Sequence, residues 1–189
     1  LTVVTPTFLD GEAVALFAST THVVDIGGLG LSPDSRQIFH EGLHIPIMPL
    51  ATAGEVNQWF INLVRANVRE PTQVEGDIYA LMACNERGAR RLMDMMAEYS
   101  LGALDELGEF IFAESGRATR DAINALPKGT WHSSMRIDGY DEPIDLVAAL
   151  TIGDGEIVVD FDGSSGVSTY GINCPMCYTI AYTSFGVKC

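Results

Sequence analysis

The sequence predicts an α+β fold in which β-hairpins flank a block of three helices, an incomplete piece of a larger domain. Three observations carry this expectation. Apolar residues recur at helical spacing between about residues 54 and 126, strand-like patterning brackets that block, and Asp-Gly and Gly-Asp-Gly turns punctuate the strands. The 189 residues read as a single partial domain, with a helical block over about 54–126 and a β-rich part over about 130–165. At 47% hydrophobic and 19% charged, the chain can build a core and is too apolar for disorder.

Leu1 to Thr7 alternates weakly, and Ala13 to Ala18 is apolar throughout. Asp10-Gly11 between them is a turn signal, so the two runs form a hairpin. Its second strand ends just before His22-Val23-Val24-Asp25-Ile26-Gly27-Gly28. Residues 27–33 read as loop, and Pro33-Asp34-Ser35 can start a short helical turn. His40-Glu41-Gly42-Leu43-His44-Ile45-Pro46 runs into an extended, proline-containing segment. Thr52-Ala53-Gly54-Glu55 fits a capping box, with Thr52 as N-cap and Glu55 reaching back. Val56, Trp59, Phe60, Leu63 and Val64 then follow at helical spacing, giving a first helix over 54–69 that Pro71 ends. Ile78, Leu81, Met82, Ala89, Leu92, Met93 and Met96 continue the period along a second helix to about Tyr99. Its methionines read as core filler. Leu104, Leu107, Ile111, Ala118 and Ala122 mark a third helix, closed by Pro127-Lys128-Gly129.

Composition then changes. Thr130 to Ile137 and Ile144 to Ile152 read as strands, Gly153-Asp154-Gly155 as a hairpin turn, and Ile157 to Phe161 as the return strand. Gly163-Ser164-Ser165-Gly166 reads as a flexible loop without the Gly-x-x-x-x-Gly-Lys pattern of a phosphate loop. From Asn173 onward, Ile180, Ala181 and Phe185 return to helical spacing.

Charge narrows the partners. Eleven Lys+Arg against 25 Asp+Glu give a formal charge of −14, with no basic footprint for a phosphate backbone or an anionic membrane. No apolar run approaches the roughly 18 residues of a membrane helix, and no signal peptide is visible. The expected setting is cytoplasmic. The chain opens on Leu1 directly in a strand pattern and stops at Cys189 without a capping or turn signal, so both ends read as cut. Four cysteines stand at positions 84, 174, 177 and 189. Cys174-Pro-Met-Cys177 has the spacing of a redox or zinc half-site, but a zinc site needs a second ligand pair and no other Cys-x-x-Cys exists.

The candidate chemistry is at His22 and Asp25. An imidazole and a carboxylate three residues apart suit a borderline divalent ion such as Zn, Mn or Fe, and the glycines beside them let backbone approach a ligand closely. The alternative is that the two side chains hydrogen-bond each other at the strand end. His40, Glu41 and His44 are ligands in principle, or surface residues of a connecting loop.

The order of motifs resembles the hydantoinase B/oxoprolinase family, which also includes the α subunits of acetone and acetophenone carboxylases. The matching pieces are Val3-Val4-Thr5-Pro6-Thr7-Phe8 with Asp10-Gly11, then His22 to Gly28, Glu41-Gly42-Leu43 with Ile45-Pro46, and Asn67-Val68-Arg69 with Pro71. Gly76-Asp77-Ile78, Ala83, Asn85, Gly88-Ala89-Arg90-Arg91-Leu92, Val159-Asp160-Phe161 with Gly163-Ser164-Ser165, and Ile172-Asn173 continue it. Where such chains often carry a second His, this one has Val23, and Cys174 and Cys177 lie outside the matching motifs.

The resemblance implies that His22 is a metal ligand and Asp25 a ligand or a partner behind one. A Gly-Thr-His-Leu-Pro-Asp segment typical of the family, upstream of the position of Leu1, would supply further ligands. It also implies ATP bound on a hydantoinase A-like partner subunit, with the ring or ketone activated by phosphorylation of its oxygen. Asp77 and Asn85 match on the second helix, where capping or core hydrogen bonding is the expected role. Three functions follow as expectations: part of the catalytic subunit of an ATP-dependent cyclic-amide hydrolase (hydantoinase or 5-oxoprolinase type), the α subunit of a ketone carboxylase, or a piece that only scaffolds the partner.

Overall fold

A computed structural model describes residues 1–30 and 32–189. The fold is mixed α+β, with contacts clustering into two units, Leu1–Leu104 and Asp105–Cys189.

The first unit opens with β1 (Thr2–Leu9) and β2 (Glu12–Thr20), an antiparallel hairpin. Asp10 and Gly11 both take positive φ, +51° and +89°, the backbone of a two-residue type I′ turn that matches strand twist. The register runs from Thr2↔Thr20 to Thr7↔Ala15 and then shifts by one residue before Phe8↔Ala13. A short 3₁₀ turn spans Ile38–His40. The loop expected over 27–33 is irregular where it is described, and Leu31 lies outside the described residues.

Helix α1 (Gln58–Asn67) begins later than the capping-box reading predicts. Residues 51–56 form instead a miniature hairpin, β3 (Ala51–Thr52) paired with β4 (Glu55–Val56) across Ala53 and Gly54. Both turn residues have positive φ, which no helix accommodates. The cap is Asn57, whose side-chain oxygen accepts the Phe60 N–H at 3.2 Å. The chain leaves α1 at Val68, and Pro71 is the first residue of the next helix rather than the stop of the previous one.

Helix α2 (Pro71–Glu98) is the backbone of this unit. Phe60, Ile61 and Val64 from α1 meet Val74 and Ile78 from α2 in its core, each burial favouring the fold by about 1.5–3 kcal/mol. Trp59, expected in the apolar stripe, is exposed. The β1–β2 hairpin lies on α2 further along. There Gly88 leaves room for the Phe17 ring. Buried Asn85 donates its carboxamide N–H groups to the Val3 carbonyl (3.0 Å) and the Thr5 hydroxyl (3.1 Å), and accepts from the Ser19 hydroxyl. Core hydrogen bonding is therefore its role, as expected.

The second unit contains α3 (Asp105–Asn124), the antiparallel sheet β5 (Gly129–Ile137), β6 (Ile144–Ile152) and β7 (Ile157–Asp160), and α4 (Met176–Lys188). The sheet order is β5-β6-β7. β5 pairs along the whole of β6, whereas β7 covers only Ala149–Ile152. The serine loop expected to be flexible caps the uncovered stretch: Ser164 Oγ donates to the Val147 carbonyl and accepts its N–H, while Ser165 accepts the Asp145 N–H on its Oγ and donates its own backbone N–H to the Asp145 carbonyl. Among the described residues, no helix is long and apolar enough to cross a membrane.

Candidate functional site

The site is built where β2 stops. Leu1 and Thr21 exchange the last hydrogen bonds of the hairpin, at 2.9 and 3.0 Å, and the chain then leaves the sheet. Val23 turns onto the core, and His22 is exposed at an open groove of about 1240 Å³. Glu41 and Glu86 also line that groove, whose remaining walls are mostly apolar, with Ile45, Met48 and Phe60 among them. Among the described residues no Lys or Arg lines it. Such walls suit an uncharged ligand better than an anionic one, because carboxylates repel an anion and apolar surface cannot solvate it.

Behind His22 the backbone is folded tightly against two other segments. Gly27 and Gly28 have φ of +82° and +65°, and Gly42 has +106°. Their positions demand the absence of a side chain as well as the left-handed backbone. A Cβ on Gly27 would meet the Asn67 carbonyl, one on Gly28 the His40 carbonyl, and one on Gly42 the Ile26 carbonyl. The close approach is stitched by Leu43 N–H to the Ile26 carbonyl at 2.8 Å and Leu29 N–H to the His40 carbonyl at 2.9 Å.

Asp25 points into this junction, its side chain 8% exposed. Oδ1 accepts the Gly27 N–H at 3.1 Å and the Arg69 Nη1 at 2.7 Å, and Oδ2 accepts the backbone N–H of Arg69. The second guanidinium nitrogen of Arg69 donates to the Gly28 carbonyl. The Arg69 backbone N–H, above all, holds the Asp25 carboxyl below the usual carboxylate range. The Gly27 N–H and the guanidinium act in the same direction, and desolvation opposes them.

The two predicted metal-site residues therefore have different surroundings. Among the described residues His22 and Asp25 share no hydrogen bond, so the strand-end pair envisaged as the alternative does not form; Arg69 takes that place. The His22 ring is free to receive a ligand, whereas both Asp25 oxygens are engaged. Among the described residues, no group of three or more His, Cys, Asp and Glu converges as a metal site would require. His40 is occupied locally, with one ring nitrogen 2.9 Å from Gln37 Nε2 and the other accepting the Arg36 N–H. His44 is exposed and Glu41 faces the groove. All four cysteines are free and exposed, and Cys174 and Cys177 stand at the start of α4. Arg69 is the residue that local sequence reading misses. Its one signal is the Asn67-Val68-Arg69 motif before Pro71.

Comparison with known proteins places these features in a family. The family model for hydantoinase B/oxoprolinase matches residues 1–189. A subunit of a putative D-/L-hydantoinase from Pseudomonas sp. (strain NS671) is 30% identical over 93% of this chain and 32% of its own length. The 5-oxoprolinase PfmaA of Pestalotiopsis fici is 28% identical over all of this chain and 16% of its own. The crystal structure of the ATP-dependent caprolactamase from Pseudomonas jessenii superposes with a TM-score of 0.88 at 26% identity, covering 98% of this chain and 33% of that one. The chain thus spans a third or less of the length of these relatives.

Proposed function

The chain belongs to the hydantoinase B/oxoprolinase family, and from that premise we propose that it is part of the catalytic subunit of an ATP-dependent cyclic-amide hydrolase that opens a lactam or hydantoin ring. The observation that carries this reading is the fold shared with the ATP-dependent caprolactamase over nearly the whole chain. The groove adds to it: its mostly apolar walls, with no Lys or Arg lining them among the described residues, suit a neutral cyclic amide.

In this reading an ATP-binding partner subunit of the hydantoinase A kind phosphorylates the amide oxygen, releasing ADP. The activated carbon is then attacked by water, the ring C–N bond breaks, and phosphate leaves. The setting would be cytoplasmic, where ATP is available. A lone imidazole is not a metal site, and among the described residues no set of His, Cys, Asp and Glu converges to complete one. What supports a role for His22 is its exposure at the groove and its place in the family motif. As a metal ligand it would need co-ligands outside these 189 residues, with Asp25 behind it.

The test is turnover by the full-length protein with its ATP-binding partner, supplied with lactams and hydantoins, with and without bicarbonate. A ring-opened amino acid formed with matching ADP, independent of bicarbonate and lost in His22→Ala, is the expected result. Turnover of a ketone that requires bicarbonate would overturn the hydrolase reading in favour of a carboxylase. Unchanged turnover in His22→Ala would remove His22 from the chemistry.

A further inference from the structure

We propose that α4 is an interior helix of the full-length subunit, clasped on two opposite sides by parts of the same polypeptide that lie outside these 189 residues. The placement needs neither a bound metal nor a particular substrate.

The chemistry of α4 sets it apart from the rest of the chain. In a protein of formal charge −14, no Asp or Glu occurs from Gly163 to Cys189, and Lys188 is the single charged side chain of the helix. At about 100° per residue, Met176, Ile180 and Val187 fall on one side, and Tyr178, Tyr182 and Phe185 fall on the opposite side. The aromatic side forms a row in the structure, with the Tyr178 and Tyr182 rings stacked at a centroid distance of 5.2 Å. Small and hydroxylated residues fill the flanks between the two sides. A helix resting on the surface of its own domain needs one apolar stripe; a helix that is apolar on opposite sides is covered on both.

Nothing in these 189 residues supplies that cover. All six side chains are exposed, from 43% at Val187 to 71% at Met176. Among the described residues from Asp105 to Cys189, none is buried. The β5-β6-β7 sheet of the same unit also lacks cover on one face. Its polar face joins the Thr130 and Thr151 hydroxyls at 2.9 Å and pairs Arg136 with Asp145 at 2.6 Å. The other face sets Trp131 opposite Leu150 and Met135 opposite Leu146, and neither α3 nor α4 packs along it. Apolar surface of this extent marks a place where other protein docks.

The rest of the subunit is the occupant that fits. Two thirds or more of the length of each relative lies outside the part this chain matches. A membrane surface would require the far side of the helix to be polar, and α4, at 13 residues, is too short to cross a bilayer. A second copy, or an ATP-binding partner subunit, docks against one side of an element that its own domain holds from the other. Neither side of α4 is held. The helix is thus the joint by which residues 105–189 are built into the subunit.

The experiment uses the full-length subunit, alone and with its ATP-binding partner, as wild type, Ile180→Asp and Phe185→Asp. Hydrogen exchange is followed in residues 176–188 and in α2, at a low and a high protein concentration. In the wild-type subunit alone, α4 is expected to exchange within about tenfold of α2 at both concentrations, and adding the partner should change little. Each aspartate sets a charge against one of the two covered sides, and each should raise exchange in 176–188 by about tenfold or more. Fast exchange of α4 in every state overturns the proposal, because the helix then lies in water. Protection that appears only with the partner subunit, or only at the higher concentration, overturns it in favour of an interface with that partner or with a second copy. If either aspartate leaves α4 protected, that side is open and the two-sided clasp is refuted. Where a variant does not fold, the wild-type comparison decides by itself.

Discussion

Asn85 offers the sharpest test of how this unit is held together. It sits on α2, 2% exposed, beneath the β1–β2 hairpin, and its carboxamide satisfies the Val3 carbonyl, the Thr5 hydroxyl and the Ser19 hydroxyl. Replacing it with leucine keeps the branched shape and the number of heavy atoms and removes all three contacts, leaving those groups without their partner in a site water reaches poorly. At about 1 kcal/mol for each lost hydrogen bond, the cost is about 3 kcal/mol. For a chain of this length that corresponds to a fall of roughly 6–12 °C in Tm. Asn85→Ala adds a cavity and should fall further. Asn85→Asp, which turns an acceptor towards the Val3 carbonyl, should match or exceed the leucine variant at neutral pH. The assay is thermal unfolding followed by circular dichroism. A leucine variant melting within about 2 °C of wild type would show that the carboxamide contributes nothing net, and the reasoning from its three partners would be refuted.

Two further predictions come from other parts of the chain. Gly76 and Gly88 both lie within α2, but a Cβ at Gly76 meets open space and one at Gly88 runs into the Phe17 ring. Gly76→Ala should therefore stabilise by about 0.5–1 kcal/mol, while Gly88→Ala should destabilise by about 1–3 kcal/mol; shifts of the same sign in urea midpoints would contradict the packing described. The carboxyls of Asp25 and Asp145 are both held low, the first chiefly by the Arg69 N–H and the second chiefly by the Arg136 guanidinium. Because their native values lie below the unfolded ones, the unfolded chain binds more protons. The stability they contribute is present above about pH 4 and is lost as pH falls below it. Asp25→Asn/Asp145→Asn should flatten that acid limb in a plot of Tm against pH, and an unaltered slope would argue against both pairings.

Much of this architecture is legible in the residues because its signals are local. Asp10-Gly11 between two apolar runs specifies the first hairpin, and the alternation from Ile144 to Ile152 specifies the central strand of the second unit. The 3.6 period specifies α2. The start of α1 is not legible, because Thr52-Ala53-Gly54-Glu55 satisfies two local rules at once. Its Thr and Glu fit a capping box, and its Ala-Gly centre fits a tight turn; pairing of Ala51 with Val56, and the better cap at Asn57, decide for the turn. Pro71 carries the same ambiguity, since proline follows helices and also opens them. At the candidate site, Gly27 and Gly28 announce a bend that the fold contains, and His22 lies where a strand ends. The partner of Asp25 cannot be read locally. Arg69 lies 44 residues away, and no periodic pattern links an aspartate in one loop to an arginine in another.

The reach of Asn85 has a consequence for how the chain is born. Val3 and Asn85 are 82 residues apart, so the hairpin leaves the ribosome well before its anchor and has to wait for it. The hairpin is complete only at the end of β2, and Ser19 and Asn85 are 66 residues apart, so at a synthesis rate of about 5–20 residues per second the wait is roughly 3–13 seconds, whereas a hairpin forms in about 1–10 microseconds. During that interval β1 and β2 can open and close many times, with Val3 and Phe17 still lacking the helix that covers them. The long helix α2 thus acts as a late lock on an early structure, and variants that slow its arrival should lower the yield of folded protein more than its final stability.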